Sequence, residues 1–345
     1  MTAFVNPAVD PPRVPTADGA EATAFHQALP GYAPTPVRGL PELAAELGVG
    51  AVLVKDESNR FGLPAFKVLG ASWAIERTLR TEPGIHTLVA ASAGNHGRAV
   101  AHVAATRGLA CRVFLPARSA RARREAIARE GAEVVVVDGT YEDAVVAAHT
   151  AAAEPGVVEI ADVGDSPQAS WVIDGYATLF AEAAEQAEFD LLVVPVGVGS
   201  LAAAAARFAA PRGIHLVGVE PETAACLTAS LAAGAPASVP TPGTSMAGLD
   251  CSEISPTAWP SLQAGMTGTV EVSDADVHAE MRSLAAAQLA LGDCGAATVT
   301  ALRRLAEAED LSAAVGLGPS TRALLIATEG PTDPDAYAEV IRGSR

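Results

Sequence analysis

Basic residues are scarce in this chain: 23 Lys and Arg stand against 40 Asp and Glu in 345 residues, a formal net charge of −17. Non-specific nucleic-acid binding depends on Lys and Arg neutralising phosphates, so this balance argues against it. Long apolar runs are also missing. Half of the residues are hydrophobic, yet no run is long and charge-free enough to span a bilayer, and the Ala-rich stretch after Leu201 is broken by Arg207 and Pro211. Cysteines number only four (Cys111, Cys226, Cys251 and Cys294), with no Cys-x-x-Cys and no adjacent His cluster. That spacing argues against a zinc site and predicts free thiols in or near the core. The opening Met-Thr-Ala-Phe-Val-Asn-Pro has neither the basic region nor the apolar core of a signal peptide. These absences predict a soluble cytoplasmic protein with no metal, no membrane and no nucleic acid among its partners.

What the chain does contain is a rhythm of short buried strands and amphipathic helices. Ala51-Val-Leu-Val, His86-Thr-Leu-Val-Ala, Cys111-Arg-Val-Phe-Leu, Glu133-Val-Val-Val-Val, Leu191-Leu-Val-Val-Pro, His215-Leu-Val-Gly-Val and Ala323-Leu-Leu-Ile-Ala read as strands. Most are separated by helical patterns, the β-α-β order of parallel sheets covered on both faces. No repeat and no low-complexity linker divides the sequence. The expected organisation is two packed α/β domains, a small one over residues 86–185 inserted into a large one built from 1–85 and 186–345. The first two dozen residues, rich in Pro, Ala and Asp, are expected to form an arm or partly ordered lead-in.

Two segments carry most of the chemistry. Lys55-Asp-Glu-Ser-Asn-Arg-Phe-Gly-Leu-Pro-Ala-Phe-Lys67 ends on a lysine where an apolar helix begins. Beside Phe66 and a helix start, the Lys67 ammonium is placed to have its pKa lowered and to serve as an amine nucleophile. Ser92-Ala-Gly-Asn-His-Gly97 is a polar loop between a strand and a helix, whose N–H groups and short donors suit a carboxylate. A third, Gly197-Val-Gly-Ser-Leu201, follows a strand and opens a helix, as a phosphate-binding turn does. Gly197, Gly199 and Ala202 also satisfy a relaxed dinucleotide fingerprint, with Glu220 about twenty residues on. Local evidence leaves both readings open; a dehydrogenase, however, has no need of Lys67 or of the Asn95 loop.

Taken in order, Tyr32-Ala-Pro-Thr-Pro, Lys55-Asp-Glu-Ser, Arg60-Phe-Gly-Leu, Ala65-Phe-Lys, Gly94-Asn-His-Gly, Asp174-Gly-Tyr, Gly197-Val-Gly-Ser-Leu, Met246-Ala-Gly-Leu and Thr328-Glu-Gly resemble the fold type II pyridoxal-phosphate enzymes (tryptophan synthase β-like), most of all the diaminopropionate ammonia-lyases. The resemblance implies two parallel-sheet α/β domains with pyridoxal 5'-phosphate in the cleft between them, and a homodimer. It implies that Lys67 carries the Schiff base and then takes the substrate α-proton. Phe66, Asn95, Gly197, Val198, Gly199, Ser200, Leu201 and Thr328 would hold the cofactor, with Asn95 at its 3-oxygen and Thr328 at its pyridine nitrogen. Ser92, Ala93, Gly94, Asn95 and His96 would surround the substrate, and Asp162 would hold its β-ammonium or else be an ordinary loop carboxylate. Glu329 is expected to point elsewhere, and Lys55, Asp56 and Glu57 to form a structural charge cluster beside the cofactor.

One departure stands out. Family members that accept both enantiomers carry an aspartate base immediately before Gly-Asn-His-Gly; here that position is Ala93, as in serine/threonine dehydratases. The expected reaction is α,β-elimination on an L-amino acid, with L-2,3-diaminopropionate the first candidate, giving aminoacrylate and then pyruvate and ammonia. A serine/threonine-type dehydratase and a β-replacement synthase are the rival enzymes, and a protein that only binds pyridoxal phosphate or a nucleotide is the rival outside catalysis.

Overall fold

The computed structural model describes residues 3–16 and 19–343. Its eleven strands are β1 (Ala3–Val5), β2 (Val37–Gly39), β3 (Ala51–Asp56), β4 (Thr87–Ala91), β5 (Ala110–Pro116), β6 (Glu133–Val137), β7 (Val157–Glu159), β8 (Leu191–Pro195), β9 (His215–Pro221), β10 (Gly268–Val272) and β11 (Arg322–Ala327). They form a seven-stranded sheet in the order β1-β10-β9-β8-β11-β3-β2 and a four-stranded sheet in the order β6-β5-β4-β7. Every pairing of the small sheet is parallel. The large sheet is parallel through its centre. Its two edges depart from the all-parallel expectation, since β1 and β2 run antiparallel to β10 and β3. Both are three-residue strands at exposed margins, where a returning segment can pair without a crossover helix.

All seven expected strands are present. The central ones are buried on both faces because Val, Leu and Ile run continuously through them; Leu191, Leu192, Val193 and Val194 are all fully buried. The Ala-rich segment is the helix Ser200–Ala209, and its small side chains let neighbours approach closely. A Cβ added at Gly265 would stand 2.7 Å from Ala206 Cβ. The expected N-terminal arm is instead built into the fold. β1 extends the large sheet, Asn6 is buried with its amide on the Gln263 and Met266 carbonyls, and the helix Ala20–Gln27 buries His26. Residues 1, 2, 17 and 18 of that lead-in lie outside the described residues.

Lys55, Glu57 and Arg60 are indeed structural. Lys55 Nζ contacts Glu182 Oε2 at 2.8 Å, and Arg60 spans Glu182 Oε1 and Glu57 Oε1, both at 2.6 Å. All four side chains are at most 2% exposed. Two cations and two carboxylates are thereby neutralised away from water, tying the end of β3 and the Tyr32–Pro36 segment to the helix Ala177–Gln186. None of the three, nor Asp56, lines the large cavity; the cluster lies behind its wall, with Glu57 N–H on the carbonyl of Ala327, the residue before cavity-lining Thr328.

Candidate active site

A cavity of ≈ 1200 Å³ opens between the two sheets, larger than a pocket for one small ligand needs. The tips of both sheets face it: Ser92–His96 after β4, Gly197–Leu201 after β8 and Thr328–Glu329 after β11. Lys67 enters from the start of the helix Val68–Thr81, which is pinned from behind. Gly70 of that helix has no room for a Cβ against Tyr176 and Val172, and Gly175 has none against Leu69 O. The crossing with the helix Pro167–Gly175 therefore depends on two glycines, and it sets where the lysine stands.

Lys67 Nζ donates to Asp162 Oδ2 at 2.8 Å, with side chains 21% and 15% exposed. The expected depression of the lysine pKa is overturned. Burial does press the ammonium toward neutrality, but Asp162 outweighs it and holds Lys67 above its ordinary value. Burial would likewise raise Asp162; neighbouring His96 and Lys67 hold it below the ordinary carboxyl range. His96 is 4% exposed, donates Nε2–H to Ile160 O at 2.7 Å, and stands with Nδ1 3.7 Å from Asp162 Oδ2. Nδ1 has no hydrogen-bond partner.

The Ser92–Gly97 loop turns tightly into the helix Asn95–Thr106, with Gly94 N–H on Ser92 Oγ at 3.2 Å. Gly97 permits that turn, because a Cβ there would lie 2.3 Å from Ser92 O. Ser92, Ala93, Gly94, Asn95 and His96 all line the cavity, as do Phe66, Lys67, Asp162, Gly197, Val198, Gly199, Ser200, Leu201 and Thr328. At the third loop a Cβ on Gly197 would meet Gly248 O at 2.6 Å, and Gly199 has φ +94° just before the helix Ser200–Ala209. The first turn of such a helix presents N–H groups that have no intrahelical acceptor. Ser200 Oγ donates instead to Asp162 O at 2.9 Å, so its hydroxyl braces Asp162.

Glu220 has a different occupation from the one a dinucleotide would require. Its carboxylate accepts Leu227 N–H at 2.6 Å, Thr228 N–H at 2.8 Å and the Thr228 hydroxyl at 2.7 Å, capping the helix Cys226–Ala233. It does not line the cavity.

A family model described as pyridoxal-phosphate dependent enzyme matches residues 28–325. The chain belongs to that family. It is 35% identical to the diaminopropionate ammonia-lyase of Salmonella typhimurium, across 95% of this chain and 92% of that one. It is 31% identical to the biosynthetic L-threonine dehydratase of Escherichia coli, across 72% of this chain and 48% of that one. Among solved structures, diaminopropionate ammonia-lyase from Escherichia coli in complex with D-serine superposes with a TM-score of 0.91 at 30% identity, covering 99% of this chain and 97% of that one. This pyridoxal-phosphate dependent enzyme is accordingly of fold type II, and a lyase.

The residues present fit the cofactor. A glycine cradle that a Cβ would fill stands at a helix N-terminus, and an amine, an amide and a buried hydroxyl (Lys67, Asn95, Thr328) share its cavity. Several wall residues escape sequence reasoning. Glu329 is the clearest correction: it lines the cavity, and its Oε2 accepts from Asn95 Nδ2 at 2.5 Å. Cys251 and Tyr141 also line it, and burial pushes the Cys251 thiol up to about 12, keeping it protonated. The Met246-Ala-Gly-Leu249 stretch was a usable signal, since Gly248 O is the atom that confines Gly197. Among the described residues no group of three or more His, Cys, Asp or Glu could hold a metal ion, and no helix is long and apolar enough to cross a membrane.

Proposed function

We propose that the enzyme is an L-2,3-diaminopropionate ammonia-lyase, and the Lys67–Asp162 pair carries the reading. A carboxylate that already holds one ammonium inside the cavity is a ready receptor for another. When Lys67 is engaged by the cofactor, Asp162 is left to take the substrate β-ammonium, one cation exchanged for another. L-serine offers only a hydroxyl there and would leave a largely buried carboxylate without its counter-charge.

Pyridoxal phosphate, when bound, supplies the electron sink for cleavage at the substrate α-carbon. In this reading the Gly197–Leu201 loop would hold its phosphate, Asn95 its ring oxygen and Thr328 its ring nitrogen, and Phe66 would contribute to the same site. Ser92, Ala93, Gly94, Asn95 and His96 line the place of the substrate carboxylate. With the substrate β-ammonium on Asp162 in its place, Lys67 Nζ loses the partner that keeps it charged and, as a neutral amine, takes the α-hydrogen as a proton; the β C–N electron pair leaves with ammonia, and a carbon–carbon double bond forms between the two positions. Hydrolysis of that product gives pyruvate and a second ammonia.

The same reading takes residues 86–185 as the small domain, and 1–85 with 186–345 as the large one. It also makes the enzyme a cytoplasmic homodimer, as the family resemblance implies; sedimentation equilibrium measures the oligomer. Ala93 lends weight to one rival, a serine/threonine-type dehydratase, because it matches that pattern at the loop.

The deciding experiment is oxoacid release by the cofactor-loaded enzyme from L- and D-diaminopropionate, L-serine and L-threonine. L-diaminopropionate should lead L-serine in kcat/KM by roughly 10²–10³, the factor set by ~3–4 kcal/mol of unpaired charge. Faster turnover of L-serine or L-threonine would make it a dehydratase. Silence broken only by an added nucleophile would make it a β-replacement synthase.

A further inference from the structure

Glu329 has no part in the roles above, yet its position is among the most tightly defined in the cavity. Its backbone is fixed on two sides: it pairs with Ala65, two residues before Lys67, and its carbonyl accepts from Gly292 N at 3.1 Å. The side chain then reaches over the cleft from the large sheet to Asn95 at the tip of the small one. The Cys294 thiol stands near enough to influence its carboxyl. Burial raises the carboxyl above its ordinary value; Cys294 and Asn95 oppose that shift, Asp293 adds to it and Arg123 opposes it.

An asparagine amide is nearly symmetrical in shape, but one end donates and the other accepts. A carboxylate only accepts, and the Asn95 donor and the neighbouring Cys294 thiol both favour that ionised form of Glu329 against the burial. With Glu329 alongside, the flipped amide would set Oδ1 against a carboxylate oxygen, so the donor end is selected. An amide nitrogen has two hydrogens. One is spent on Glu329.

We propose that Glu329 is a positioning residue for Asn95: it fixes the amide so that the second Nδ2 hydrogen serves the cofactor's ring oxygen. This rests on the cavity being the cofactor site with Asn95 at that oxygen. A donor at the ring oxygen draws charge from it and weakens its hold on the proton shared with the Lys67 nitrogen. Loss of the donor, or of its orientation, therefore raises the pH at which that proton leaves.

The test is a pH titration of the near-visible absorption band of the cofactor-loaded protein, with Asn95→Ala, Glu329→Gln and the double variant. Each single change should raise the midpoint by about one unit, and the double variant should move it no further than one single change does. An unmoved midpoint in Glu329→Gln, or shifts that add in the double variant, would overturn the proposal. Thermal melting checks that each variant is folded. If Glu329→Gln fails that check, Glu329→Asp replaces it: a shorter stem withdraws the acceptor, the midpoint should again rise, and no movement counts against the role. Lys67→Ala separates the two layers of argument. A band that survives in it overturns the reading of the cavity itself, whereas a band lost there but indifferent to Glu329 overturns the positioning role alone.

Discussion

A single side chain separates Ala93 from a proton acceptor. It lines the cavity beside Asn95, and a carboxylate there would add an anionic base to a loop whose one other titratable side chain is His96. The family resemblance puts that base on the face opposite Lys67, where the α-hydrogen of a D-substrate would stand. Ala93→Asp should therefore create pyruvate release from D-diaminopropionate, roughly 10²–10⁴-fold over the parent, while L-activity persists. Continued silence on the D-enantiomer would mean that pocket shape excludes it. The candidate residues were legible here because motif and position agree; Lys67, Asn95 and Thr328 all reach one cavity. The charge state of Lys67 was not legible, because Asp162 is 95 positions away and only folding sets it at 2.8 Å. Glu329 was hidden for a similar reason. Its partner, Asn95, is 234 positions distant on the other sheet.

At the scale of elements, the Gly197–Leu201 turn shows how closely loop and segment must fit. The backbone at Gly248 leaves 2.6 Å for a Cβ on Gly197, well inside contact distance, and a backbone carbonyl cannot swing aside as a flexible side chain can. Gly197→Ala should displace the turn and weaken pyridoxal-phosphate retention by roughly tenfold or more, the effect of losing about one good hydrogen bond to an anion. Gly39→Ala, with open space around it, is the matched control. Equilibrium dialysis of the cofactor measures both, and equal retention in the two variants would refute the fit. Continuous apolar runs made the central strands readable from sequence alone. β1, β2 and β7 have only three residues each, too few to show a period, and they exist because neighbouring strands offer them open backbone groups. β10, Gly268-Thr-Val-Glu-Val, carries a glutamate in its run and is completed by pairing with β1 and β9.

Across the whole molecule, buried polar groups couple segments that are distant in sequence, and they set its response to acid. His26 is fully buried, with Nδ1 2.7 Å from Thr178 Oγ1 and Nε2 3.0 Å from both Leu69 O and Ser72 Oγ. It joins the N-terminal helix to the helix that begins after Lys67 and to the one that carries Glu182. Burial, opposed by the Leu69 carbonyl, lowers its pKa from 6.5 to about 3. Between those values the unfolded chain binds a proton that the folded one refuses. The stabilising contribution is thus complete above pH 6.5 and is lost as pH falls, at up to about 1.4 kcal/mol per unit. Glu182 acts in the same direction in a lower window. Burial raises its pKa, but Arg60 and Lys55 outweigh this and hold it below 4.5, so its contribution is lost only as pH drops below the ordinary carboxyl range. Glu220 acts the other way: burial raises its carboxyl to about 7, so there the folded chain binds a proton before the unfolded one does, and the His26 contribution is isolated by comparing the parent with a variant that lacks the ring. Urea unfolding of the parent and of His26→Gln at steps from pH 7.5 to 5 makes that comparison. His26→Gln, which removes the titrating ring, should start less stable than the parent, and its deficit should shrink as pH falls below 6.5; a deficit that stays constant over that range would place the sensitivity at another group.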